Sequence, residues 1–209
     1  MIPVKPTTPA KRPSRERGRA RREQLLNAAA KLLLDRDVEE ITFKEIYENA
    51  GIPPGSAYHF FDNVESIQLA LFDRFADELF EFMIASLDPS KRSSWMEILD
   101  NLVDNVAIFY NTNAAARRII LNSKVPIGQI SEPDKLAGQK TEELLNRYFI
   151  LPELTNRLEI FVLSTKIVHL FLSISVILYG MITKELIDEA KTAFKGYLKT
   201  YLPEKMERR

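Results

Sequence analysis

One stretch, residues 41–63 with the sequence ITFKEIYENAGIPPGSAYHFFDN, restricts what this chain can fold into more than any other. Thr42 is placed to cap a helix, and Phe43, Ile46, Tyr47 and Ala50 keep a helical period behind it. Gly51 falls where a helix end needs a residue that tolerates a left-handed backbone. Pro53-Pro54 then restarts the chain, because a first helical turn does not need the N–H that proline lacks. Residues 56–61 supply the second helix, and Asn63 is placed to cap a third. Small Ala50 and Gly51 at the corner let two helices cross closely, the geometry of a helix-turn-helix.

The start of the second helix suits a phosphate or a base edge. Gly55 allows close backbone approach, while Ser56, Tyr58 and His59 each offer a hydrogen-bonding group. A helix N-terminus adds free N–H groups and partial positive charge. A recognition helix enters the major groove in this way. A helical hairpin in some other globular protein gives the same local pattern, and a pair such as Phe60-Phe61 suits a core as well as an interface.

Over residues 20–75 the chain resembles the N-terminal DNA-binding motif of TetR-type transcriptional regulators. Thr42, Ile46, Ala50-Gly51, Gly55-Ser56, Tyr58 and Phe61 carry the resemblance. It implies DNA contacts from Thr42, Lys44, Pro54, Gly55, Ser56, Tyr58 and His59, with Ile46, Ile52 and Phe61 in the core. Two positions depart from the pattern: Pro53 replaces a common Ser or Thr cap, and Val64 replaces a common phosphate-binding lysine.

The 45% hydrophobic content among 209 residues is ample for a packed core, and seven glycines with few alternating β-branched runs favour helices over sheets. The expected class is therefore all-α. With no cysteine there is neither a disulfide nor a thiolate metal site. The first residues hold no apolar core of signal-peptide length, so a cytoplasmic protein is expected. Net charge is zero but unevenly placed: residues 1–22 carry eight basic side chains against Glu16 alone. A basic arm of this kind binds phosphates or reaches into a minor groove.

Three divisions are expected: a basic flexible arm over 1–18, a three-helix helix-turn-helix domain over 19–63, and a helical effector-binding and dimerisation domain over 64–209. From Val64 an apolar repeat runs without Gly or Pro up to Pro89, predicting one long helix, either a lever that transmits rotation to the recognition helix or a rigid strut. Further helices are expected near residues 93–110, 114–123, 134–149, 152–183 and 184–202, with a loop over 125–133 where Pro126, Gly128 and Pro133 cluster. Residues 160–182 are apolar almost all round. Lys166 and His169 within that run argue for a buried helix against a membrane span.

No catalytic constellation and no metal site stands out. The two histidines, His59 and His169, lie in different segments, and no HExxH, GxSxG or GxGxxG is present. No enzyme activity and no cofactor are expected. The family resemblance implies a cavity for a small effector, for which Trp95, Leu99, Phe109, Tyr148, Phe161 and His169 are the candidate lining. The last helix presents Leu186, Ala190, Phe194, Tyr197 and Tyr201 on one face, a candidate homodimer interface, with an intrachain helix pair as the alternative. The reading is a repressor that binds a palindromic double-stranded DNA operator as a homodimer and is released by an apolar or amphipathic effector. The alternatives are a helical protein-interaction scaffold or a small-molecule enzyme without DNA binding.

Overall fold

The computed structural model describes residues 14–88, 90, 92–121 and 130–209. Among them the regular structure is helical, and they form two compact units divided between Ala70 and Leu71. The division expected at residue 63 is thus displaced into the long helix. The reason is Ile67, fully buried, and Gln68, whose side-chain amide donates to the Val38 carbonyl at 3.3 Å. Both belong to the core and wrapping of the N-terminal unit.

That unit holds α1 (Ser14–Leu32), α2 (Phe43–Asn49), α3 (Pro54–Phe60) and the first turns of α4 (Val64–Ala85). A single 3-10 turn at Val38–Glu40 lies between α1 and α2. Of the basic arm, residues 1–13 lie outside the described residues, while Ser14 to Gly18 are the opening turns of α1. Leu25, Leu26 and Ala29 bury one face of α1, with Leu33 just past its end, beside Phe43 and Ile46 of α2 and Ala57 of α3.

The second unit contains most of α4, then α5 (Trp95–Thr112), α6 (Ala114–Leu121), α7 (Glu132–Tyr148), α8 (Arg157–Tyr179) and α9 (Lys184–Leu198). Helix α7 starts two residues earlier than the sequence suggests. Ser131 caps it, sharing a reciprocal box with Asp134, and Pro133 sits in its first turn, where proline is tolerated. Residues 125–129 of the expected loop before it fall outside the described residues.

Helix α8 is long and apolar enough to cross a membrane, yet it packs between α7 and α9. Its crossing with α7 is close: a Cβ on Gly138 would lie 2.7 Å from the Val162 nitrogen. Gly180, at φ 71°, ends α8 in the left-handed region. Asn111 of α5 then pins the turn into α9, donating to the Ile182 carbonyl and accepting from its N–H, both at 2.9 Å. Trp95, wholly buried, donates its indole N–H to the Pro203 carbonyl at 2.9 Å, which fastens the segment after α9 onto α5.

Candidate nucleic-acid interface and effector cavity

The corner between α2 and α3 is built by local hydrogen bonds. The Thr42 hydroxyl accepts from the Glu45 N–H at 3.3 Å, and the Glu45 carboxylate accepts from the Thr42 N–H at 2.9 Å and from its hydroxyl at 2.7 Å. Those bonds, with Arg36 at 2.8 Å, hold the Glu45 carboxyl down to about 2. Gly51 adopts φ 64°, the left-handed conformation required at the end of α2. Pro53 precedes α3 without a side-chain cap, and Pro54 opens it. Asn63 caps α4, its side-chain oxygen accepting from the Ser66 N–H at 2.9 Å.

Burial then sorts the residues of α3 and its surroundings by face. Ile46, Ile52, Ala57 and Phe61 are buried. Pro54, Gly55, Tyr58 and His59 are exposed, as are Thr42 and Lys44, while Ser56 is half-buried. Tyr58 leans its ring edge on Phe43 at a centroid distance of 4.8 Å and still exposes 56% of its surface. All seven residues proposed from sequence therefore lie around one helix corner, although Thr42 is occupied with capping and Lys44 faces Glu48 at 3.8 Å. Arg21 of α1, which the sequence reading did not single out, donates to the Ser56 hydroxyl at 3.3 Å. The only signal pointing to it was its place within the basic run. Arg22 stacks over the Phe61 ring at 5.2 Å.

The second unit encloses a cavity of about 1080 Å³. Its walls come from α4 through α9, and they are chiefly apolar: Phe72, Phe80 and Met83 of α4, Val106 of α5, Leu144 of α7 and Leu172 of α8 are representative. Polar groups gather at α7 and α8. Lys166 reaches Asp134 at 2.9 Å, and the same carboxylate oxygen accepts from the Ser131 N–H and hydroxyl at 2.8 Å. Burial pushes the Asp134 carboxyl up, but the Lys166 and Ser131 hydrogen bonds outweigh it and hold the group below its usual range. His169 places Nε2 3.2 Å from the Ile120 carbonyl, and burial pushes its pKa down. Tyr110, also on the wall, has its phenol pushed up by burial.

Of the six side chains proposed to line such a cavity, His169 does so. The structure places the other five elsewhere. Trp95, Leu99 and Phe161 are fully buried in packing, Phe109 is buried beside Phe82, and the Tyr148 ring lies under Arg92. The sequence offered large apolar residues, and the largest of them are the ones that fill the core. The interface proposed on α9 needs a similar correction. Ala190 and Phe194 are wholly buried inside the protomer, where α9 packs on α5 and α8. Leu186 and Tyr197 are half-buried and Tyr201 is 40% exposed. On α8, Leu163, Leu170, Ile177 and Leu178 are exposed, and the first three of them also line the cavity.

Residues 25–71 match the model of the bacterial regulatory proteins of the tetR family. Over these residues the chain carries a TetR-type N-terminal domain. The HTH-type transcriptional repressor KstR2 of Rhodococcus jostii is 39% identical over 72 residues, covering 32% of this chain and 35% of that protein. KstR2 of Mycolicibacterium smegmatis is 35% identical over 80 residues, 38% of this chain and 35% of that protein. The chain thus spans about a third of the length of these curated relatives. Over longer stretches the TetR fold continues without close sequence likeness. A TetR-family regulator from Streptomyces coelicolor superposes with a TM-score of 0.69 at 19% identity, over 87% of this chain and 99% of that one. The SmeT–triclosan complex superposes with a TM-score of 0.55 at 17% identity, over 88% and 92%.

Proposed function

We propose that this chain is a cytoplasmic one-component transcriptional regulator, a repressor, which binds a palindromic operator as a homodimer. The observation that carries the reading is the outward set of Pro54, Gly55, Tyr58 and His59 on a helix whose inner side is fixed by Ala57 and Phe61. A short helix held by its buried side offers its free face and its N-terminal N–H groups to phosphates and base edges. Arg21 beside Ser56 adds a cation at the same place.

Two features support the rest of the reading. Twofold operators demand a twofold protein, and the exposed apolar residues of α8 at the edge of the cavity, with the part-exposed Leu186, Tyr197 and Tyr201 on and just after α9, are suited to meet a second copy. The cavity has the volume and apolar walls of a small-molecule site, and one fold neighbour is a complex with triclosan. Effector binding that favours a conformer with mismatched recognition helices needs a coupling of only about 1–3 kcal/mol for a 5–150-fold loss of affinity.

The test is a titration of the purified protein against the DNA upstream of its own gene, at two salt concentrations. Specific retardation that weakens steeply with salt supports the reading. Equal affinity for that fragment and for unrelated duplex contradicts it.

A further inference from the structure

Three polar residues of α8 fall at positions i, i+3 and i+7 and line the cavity together: Lys166, His169 and Ser173. At 1.5 Å per residue this stripe is roughly 10 Å long, on a chiefly apolar wall that also carries Thr165 of α8, Lys140 of α7, and Asp77 and Glu81 of α4. Its members differ in what they have left to offer. Lys166 is held by Asp134 at 2.9 Å, so the two charges neutralise each other within the protein. His169 commits Nε2 to the Ile120 carbonyl at 3.2 Å. A carbonyl accepts, so Nε2 carries the proton and Nδ1 of the neutral ring is left as an acceptor. The Ser173 hydroxyl oxygen is closed off from solvent and hydrogen-bonds to nothing among the described residues, so it meets a ligand in the cavity by a turn about its Cα–Cβ bond. A hydroxyl in the middle of a helix ordinarily back-bonds to the carbonyl one turn earlier, and this one does not. A buried polar atom left unpaired costs stability, which marks it as a group with a partner still to come.

His169 and Ser173 are one turn apart on the same face, neighbours at about 5–6 Å between Cβ atoms. A single hydroxyl between them satisfies both, accepting from Ser173 and donating to His169 Nδ1. A carboxylate cannot donate, and it would have to displace Asp134 to reach Lys166. Resting on the reading of this cavity as the effector site, we propose that its ligand is an uncharged amphipathic molecule whose hydroxyl is clasped between His169 and Ser173, with its apolar body along α4 and α5. The charged pair Lys166–Asp134 walls the site off and rejects anionic headgroups.

Isothermal titration of the full chain with decanol, its methyl ether and decanoate tests this. The ether retains the acceptor and loses the donor; decanoate brings the charge. Decanol is expected to bind about tenfold more tightly than either, the difference one hydrogen bond makes. His169→Phe should bring alcohol and ether to equal affinity. A merely structural role would weaken both alike and keep their ratio. Ser173→Ala should weaken alcohol and ether by similar factors and keep their ratio, while ligand-free thermal stability holds or rises because an unpaired hydroxyl has gone. If His169→Phe does not fold, Ser173→Ala decides: unchanged affinities overturn the proposal. It is also overturned if decanoate binds best, if the alcohol preference survives His169→Phe, or if none of the three binds. Operator binding by the ligand-free protein is measured separately and is expected to be intact in both variants, so failure here leaves the DNA-binding reading standing.

Discussion

Tyr58 and Ser56 sit on the free side of α3 and contribute little to what holds it down. Tyr58→Phe and Ser56→Ala should each weaken specific operator binding about fivefold, one hydrogen bond's worth, with melting temperatures close to wild type. Fluorescence anisotropy with operator duplex and a thermal melt check the two halves of that statement. Val64 allows the opposite experiment. It opens α4 where the TetR pattern often has a lysine, so Val64→Lys should tighten DNA binding and steepen its salt dependence by about one counterion. Glu45 carries a pH signature. Its folded pKa, about 2, lies below the ordinary 4.5, so its contribution to stability is complete above pH 4.5 and fades as pH falls toward 2. Thermal melts across that window should show the gap between wild type and Glu45→Gln closing as the pH drops.

At the scale of helices, sequence periodicity reported existence well and boundaries less well. The α2–α3 corner was legible because each of its determinants is local: a Thr cap, a left-handed glycine and a proline in a first turn. The start of α7 was misjudged because Pro133 reads as a breaker until Ser131 is seen to cap the helix just ahead of it. The α9 face left two readings open in the sequence, a dimer interface and a pairing within the chain. An apolar stripe shows that something covers it, and only packing reveals that α5 and α8 of the same protomer do so. Gly138 illustrates the same limit. In sequence it is an isolated glycine within a helix, whereas in the structure it is where α7 lets α8 pass. Gly138→Ala should destabilise the second unit by about 1–3 kcal/mol through overpacking, readable as a lower denaturant midpoint.

For the whole molecule, the chain divides its tasks between two units joined through one helix, α4, which contributes Ile67 to the first core and Phe72 onward to the cavity wall of the second. The DNA-binding unit was readable from one contiguous stretch of sequence. The cavity was not, because its walls are assembled from six helices, and a half-buried Phe80 or Met83 has the same sequence signature as a core residue. His169 was legible only because a histidine is conspicuous in an apolar run. The central claim is that outward-facing α3 side chains grip duplex DNA in a twofold pair. Footprinting the protein on its own upstream region tests it most directly. The account predicts two symmetry-related protected half-sites with centres about 34–36 Å apart, both lost in a Ser56→Ala, Tyr58→Phe double variant that still melts like wild type. Protection of one unpaired half-site, or a footprint unchanged in that variant, would contradict it.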